Sequence, residues 1–569
     1  MSNQFELQLG SLKSKYDASL QELSQQDVVN RIWRHDHTVW KDDPAEITNR
    51  LGWLHSPEEM TAAIPEITKF VDDARKAGFT SALLLGMGGS SLAPEVFRYT
   101  FGIKEGYLDL AVLDSTDPGA VLAAERRSDP AKTLYIVSTK SGGTVETMSF
   151  MKYFYNKVSE AVGADAAGGH FVAITDPGSG LEALAANLKF RKIFLNNPDI
   201  GGRYSALSFF GLLPAALIGM DIGQLLKRAA AMAENFKSED PASGQNSAVS
   251  LGAVMGEAAL AGKDKVTLIA SPGIASFGAW VEQLIAESTG KEGKGILPVD
   301  GETALAPDDL ADDRLIVHLK LKNDDTPDTT FEKLADAGMP AVQLILEDLY
   351  DLGGEFFRWE VATIIASKAL QINPFDQPDV ESAKIQGRKM MAAYQESGEL
   401  PALRPSLEAD DISVFSDFAA DDLETALQAF LARANSGDDG SRSYVALQAY
   451  VFTTPEVDAA MQALRTKIQT SRKLAVTPGY GPRFLHSTGQ LHKGDAGHGL
   501  FIQITADMPE DAAIPEEAGS DASSITFGVL KSAQALGDRQ ALLDVHRNVI
   551  RFHLKNNIVN GLKRLTDRI

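Results

Sequence analysis

The chain contains no cysteine. That absence excludes disulfides, thiolate metal sites and a cysteine nucleophile, and it fits a reducing, cytoplasmic setting. Basic residues are scarce as well. Against 77 Asp plus Glu there are 54 Lys plus Arg, a formal net charge of −23 over 569 residues. So acidic a surface argues against nucleic acid or an anionic membrane as partner. It leaves a small anionic substrate open, because scattered surface carboxylates are screened within about 10 Å while local dipoles set the potential inside a cleft. Long hydrophobic runs are missing too. The most apolar stretch, 207–220, is too short for a bilayer span and contains Pro214, so it reads as a buried core helix. The first residues, Met1-Ser2-Asn3-Gln4-Phe5-Glu6, have neither a basic nor an apolar leader, so no signal peptide is expected. His486 and His492, six apart, match no standard metal-ligand spacing, and no metal is expected.

What is present is an apolar content of 44%, enough for the cores of two or more domains. Two glycine-rich turns stand out. One reads Gly86-Met87-Gly88-Gly89-Ser90-Ser91 after an apolar run at 83–85; the other reads Ser138-Thr139-Lys140-Ser141-Gly142-Gly143-Thr144-Val145-Glu146-Thr147. In each, strand character breaks into small and hydroxylated residues and resumes with helical spacing. Backbone N–H groups, hydroxyls and a helix N-terminus then share one small volume, which suits a phosphate. The first turn alone is weak evidence, since close helix–strand packing also wants glycine. It has neither the Gly-Lys-Ser/Thr ending of a P-loop nor the third glycine of a dinucleotide fingerprint. Within residues 139–147 of the second, four hydroxyls, a lysine and two glycines exceed what a capping box ending on Glu146 requires.

Strand-like runs at 83–85, 110–113, 134–137, 171–174 and 193–195 alternate with helical patterns, predicting a parallel sheet covered by helices. A long helical region is expected over 204–236. The rhythm restarts with runs at 266–270, 315–319 and 342–346, and helices near 278–287 and 356–370. Later come a strand at 444–450, a helix at 455–470, a strand at 474–476, and two closing helices, the second capped by Asp538. Residues 436–441 read as an exposed connector and 511–524 as a surface loop. The expected organisation is an N-terminal helical arm (1–60), two α/β domains (61–236 and 247–398) and an α/β extension (399–569).

Gln283 and Glu287 stand four apart, on one face of a helix that Gly290 would end, so Glu287 is a candidate base; an exposed glutamate is the plainer reading. His486 is either an acid/base group or a hydrogen-bonded loop residue.

Together these segments resemble the phosphoglucose isomerase family. Gly86-Met87-Gly88-Gly89-Ser90 is similar to its Gly-Ile-Gly-Gly-Ser turn, and 139–147 to its phosphate loop. Gly201-Gly202-Arg203-Tyr204-Ser205 is similar to Gly-Gly-Arg-Tyr/Phe-Ser. Glu287-Ser288-Thr289-Gly290-Lys291 resembles Glu-Ser-Asn-Gly-Lys, and 486–494 resembles His-Ser-Phe-x-Gln-Leu-x-x-Gly. The nearest likeness is to the isomerase half of bifunctional transaldolase/phosphoglucose isomerases, through Trp53 and Tyr480-Gly481-Pro482-Arg483. Departures from the family pattern are Ser91, Ser141, Gly143, Thr289 and 482–485.

The resemblance implies two sugar-isomerase-type (SIS) domains, each a parallel sheet flanked by helices, and interconversion of glucose 6-phosphate and fructose 6-phosphate through a cis-enediolate. It implies that Ser90, Thr139, Lys140, Ser141, Thr144 and Thr147 anchor the phosphate and that Gln283 and Gly89 line the site. His486, with Lys531, would open the ring, Glu287 would shuttle the proton and Arg203 would stabilise the enediolate. No cofactor is implied. A homodimer in which His486 crosses from the other subunit is implied. Activity on mannose 6-phosphate as well, or a sugar-phosphate sensor without catalysis, stays open as an alternative.

Overall fold

The computed structural model describes residues 5–326, 328–435, 437 and 442–569. Its described residues form three large sheets and a two-stranded one, Ala513–Ile514 with Ile525–Thr526, in the stretch expected as a surface loop. The first is wholly parallel, with strands in the spatial order Asp109–Leu113, Ser81–Gly86, Thr133–Ser138, Phe171–Thr175 and Lys192–Leu195. The second runs Leu297–Val299, Lys265–Ala270, Arg314–Leu321 and Ala341–Leu346, all parallel, and Phe5–Gln8 closes its edge antiparallel. In the third, Ala475–Tyr480, Tyr444–Tyr450, Gly499–Ala506 and Asn548–Leu554 are parallel, followed by Ile412–Phe415 and Leu407–Ala409.

One winding is used three times. In each sheet the first parallel strand lies inside, the second is added on one side, and the third and fourth on the other. Where the order reverses, the connections leave toward opposite faces and open a crevice at the carboxyl ends of the strands. In the first sheet that reversal lies between Ser81–Gly86 and Thr133–Ser138, whose carboxyl ends run into the two glycine turns.

The interior strands Thr133–Ser138, Phe171–Thr175 and Gly499–Ala506 are buried on both faces, as helices on both sides of a parallel sheet require. One continuous apolar core joins the N-terminal arm to the first two sheets, and a separate core underlies the third. Trp53 stacks on Tyr204, ring centroids 5.4 Å apart, which fixes the arm beside the Gly-Gly-Arg turn.

Several expectations need correction. The arm is not purely helical, since it opens with an edge strand. The helical region expected over 204–236 is two helices, Phe209–Leu217 and Ile222–Ser238, separated where Gly219 takes φ +86°. The closing helix Phe527–Asp544 is continuous through Asp538, whose buried carboxylate accepts from Lys493 Nζ at 2.7 Å instead of capping a helix. The strands Gly499–Ala506 and Asn548–Leu554 had no sequence counterpart. The connector expected at 436–441 lies outside the described residues except for Gly437. Among the described residues no helix is long and apolar enough to cross a membrane.

Candidate active site

The carboxylate expected to act as base comes from the helix Phe277–Thr289. Glu287 Oε2 accepts from Gln283 Nε2 at 3.2 Å, as the four-residue spacing on one helical face allows. The same amide nitrogen donates to the His486 carbonyl at 2.7 Å, so Gln283 ties the helix to the histidine loop. Glu287 Oε1 lies 3.5 Å from Arg203 Nη1.

Arg203 is itself locked. Its Nε donates to Ser288 Oγ at 2.7 Å, its Nη1 to Gln377 Oε1 at 2.9 Å, and its Nη2 to the Pro374 carbonyl at 2.6 Å. A guanidinium held on three sides by neutral acceptors keeps its charge for the fourth, where Glu287 sits. Lys291 adds a second cation here, donating to Asp376 Oδ1 at 2.8 Å; burial, then the Arg203 charge, push it down to about 8.

The first glycine turn closes over this group. A Cβ on Gly89 would stand 2.0 Å from the Gly202 carbonyl oxygen, and one on Gly88 would stand 2.7 Å from the His486 carbonyl oxygen. Only glycine allows the turn, the Arg203 segment and the histidine loop to meet so closely. Ser90 hangs from the strand beside it, its carbonyl accepting from Ser138 Oγ at 3.2 Å.

His486 faces a cavity of about 500 Å³. Ser141, Gly143, Thr144 and Glu146 form one wall, at the N-terminus of the helix Val145–Val162. Lys384, on the helix Val380–Ser397, forms another. His486 Nε2 is 2.9 Å from Glu146 Oε1, which also accepts from Gln534 Nε2 at 2.7 Å. Burial works against a proton on His486, but the charge and hydrogen bond of Glu146 outweigh it and leave the imidazole raised above its ordinary value. Burial would likewise raise Glu146, and the His486 charge and the hydrogen bonds hold it below the usual carboxylate value.

The structure therefore brings Glu287, Arg203, Gln283, Gly89 and His486 into one cluster, with Ser141 and Thr144 across the cavity from it. Other predicted residues point elsewhere. Thr139 Oγ1 is 2.9 Å from Thr144 Oγ1, and Thr147 Oγ1 is buried without a partner among the described residues. Lys140 pairs with Asp176 and donates to the Pro198 carbonyl at 2.8 Å, so its charge is already answered.

Lys531 is not in this site: its Nζ donates to Asp117 Oδ2 at 2.7 Å in a buried ion pair, while Leu530, Ala533 and Gln534 of the same helix face the cavity. The chain's own histidine loop stands at this cluster. Arg483 anchors that loop in cis, pairing with Glu95 and lying 3.3 Å from Asp114, both at the first sheet. Asp114 in turn accepts from Ser91 Oγ at 3.2 Å, which gives the departure at position 91 a structural role. Sequence reasoning missed Lys384 and took Glu146 for a capping residue. Among the described residues no group of His, Cys, Asp or Glu is arranged to hold a metal ion.

Residues 60–302 match the sequence model of the phosphoglucose isomerase family. The glucose-6-phosphate isomerase of Rubrobacter xylanophilus is 28% identical over 384 residues, covering 58% of this chain and 87% of that protein. That of Cyanothece is 32% identical over 259 residues, covering 42% of this chain and only 49%, about half, of its own length. Among solved structures, a hypothetical protein of Thermus thermophilus superposes with a TM-score of 0.59 at 24% identity, over 68% of this chain and all of that one (100%). The glucose-6-phosphate isomerase of Chlamydia trachomatis superposes at 0.51 and 19% identity, over 65% and 78% of the two chains. These superpositions speak for the fold, and the sequence matches speak for descent. Over residues 60–302 the chain is similar to the phosphoglucose isomerase family.

Proposed function

We propose that the chain interconverts glucose 6-phosphate and fructose 6-phosphate, moving a proton between C1 and C2 through a cis-enediolate without a metal. The observation that carries this reading is the hydrogen-bonded cluster of Glu287, Gln283, Arg203 and the His486 loop beside a phosphate-suited cavity. The family match and its glucose-6-phosphate isomerase relatives support it.

The phosphate lies against Ser141, Thr144 and the positive end of the helix Val145–Val162, whose N-cap Thr144 makes no side-chain capping bond. His486, held and charged by Glu146, delivers a proton to the ring oxygen, and Lys384 supplies the cation assigned from sequence to Lys531. Glu287 then shuttles the proton between carbons, and Arg203 and Lys291 stabilise the oxyanion that develops. A positioned base contributes about 10²–10⁴-fold and a fixed oxyanion donor a similar factor. The cysteine-free chain fits a cytoplasmic enzyme.

The test is conversion of fructose 6-phosphate to glucose 6-phosphate, coupled to NADPH formation, with and without EDTA. Equal turnover in both supports the reading. Loss of turnover with EDTA would overturn its metal-free mechanism, and absence of turnover would overturn the function.

A further inference from the structure

Lys531 faces a second cavity, of about 130 Å³, lined also by Tyr450, Thr505, Asp507, Arg551 and His553. Its position follows from topology. Tyr450 ends the strand Tyr444–Tyr450, Thr505 and Ala506 end Gly499–Ala506, and these neighbours are the pair between which the third sheet reverses its order. The first sheet carries its two glycine turns at the corresponding place. There the helix after the third strand is Val145–Val162; here it is Phe527–Asp544, which brings Lys531 and Ser532 to the cavity wall.

The charges at this second crevice are unevenly satisfied. Lys531 is answered by Asp117, and His553 Nε2 lies 3.0 Å from Asp507 Oδ1, the one carboxylate on the wall among the described residues. Arg551 has no such partner. Its Nε donates to Thr505 Oγ1 at 3.1 Å and its guanidinium lies 5.6 Å from the Phe415 ring centroid. Its Nη1 is buried with no hydrogen-bond partner among the described residues. A second guanidinium, Arg539 of the helix Phe527–Asp544, stands close enough to repel it, and the charge of Asp417 acts on Arg539. Burial first, then Arg539, push Arg551 down to about 10. A buried donor without an acceptor costs about 1–3 kcal/mol, more when charged, and a bound oxyanion would relieve that.

We infer that the crevice at the carboxyl ends of Tyr444–Tyr450 and Gly499–Ala506 is a second anion site, which binds a small phosphorylated or carboxylated molecule through Arg551, with Lys531 and Thr505 beside it. The volume, several times the ~30 Å³ share of one water, admits an oxyanion group and little more. The occupant sits against the helix whose Gln534 donates to Glu146, so the two sites share one element.

Equilibrium dialysis with radiolabelled inorganic phosphate counts the sites, using the full chain. Wild type is expected to hold two equivalents, Arg551→Gln one, and Arg551→Lys two with the second weakened. The Ser141→Ala, Thr144→Val double variant is expected to keep the Arg551-dependent equivalent. Arg551→Gln should retain wild-type isomerase kcat and KM, which also shows that it folds. Displacement of that equivalent by malonate would assign the site to oxyanions generally; resistance to malonate would assign it to phosphate. A wild type holding one equivalent or none, or two that both survive Arg551→Gln, would overturn the inference.

Discussion

Replacing Glu282 by glutamine is expected to stabilise the protein more and more as the pH rises. Glu282 lies on the helix of the candidate base, facing the third sheet. Burial, and next the charge of Asp300, push it from 4.5 up to about 8. Between those two values the folded state keeps a proton that the unfolded chain has released. Folding stability therefore falls as pH climbs from about 4.5 to about 8, and the loss is complete above it. The gap of 8 − 4.5 = 3.5 units sets a ceiling of about 5 kcal/mol at ~1.36 kcal/mol per unit, and partial contact with solvent trims it to a few. Glutamine has no proton to lose and keeps the shape. Asp300, pushed up to about 6, titrates in both proteins and cancels in the difference. Scanning calorimetry at pH 5, 7 and 9 should find a Tm difference, variant minus wild type, that is small at pH 5 and grows to several degrees at pH 9. A difference that does not change with pH would refute the reasoning.

Glu146→Gln removes the charge that keeps a proton on buried His486, so the imidazole pKa falls and the alkaline limb of the kcat/KM profile moves to lower pH. An unmoved limb in the pH–rate profile would separate His486 from the chemistry. Lys384→Met and Lys531→Met should have opposite signatures. The first loses about 10²-fold in kcat/KM with little change in Tm, because its ammonium is half exposed. The second leaves Asp117 buried and unpaired, costing about 3–5 kcal/mol in a denaturation experiment, with kcat near wild type in whatever remains folded.

How far the sequence could be read depended on where chain grammar and tertiary contact coincide. The first sheet was legible because its apolar runs break at once into glycine and serine, and only glycine tolerates the contact at Gly89. Glu287, Gln283, Arg203 and His486 were legible through ordered motifs. The third sheet's interior was not. Gly499–Ala506 is buried along its whole length, and such a run carries no alternation to mark a strand. Its repeated winding is a property of strand order, invisible in any local pattern. Lys384 was missed because the helix Val380–Ser397 is polar and largely exposed, and reads as a solvated surface. Lys531 misled for the converse reason: the helix places it on the face turned away from the cavity, a rotation set by packing. Glu146 fits a capping box by spacing, yet its carboxylate crosses 340 residues of sequence to reach His486.

The central claim is that Glu287 moves the proton at this site. Glu287→Gln preserves the shape of the side chain and removes the base. Measured by coupled conversion of fructose 6-phosphate with EDTA present, the account predicts a kcat reduced by about 10²–10⁴-fold with KM close to wild type. A variant retaining kcat within about tenfold of wild type would contradict it, because a positioned base cannot contribute so little.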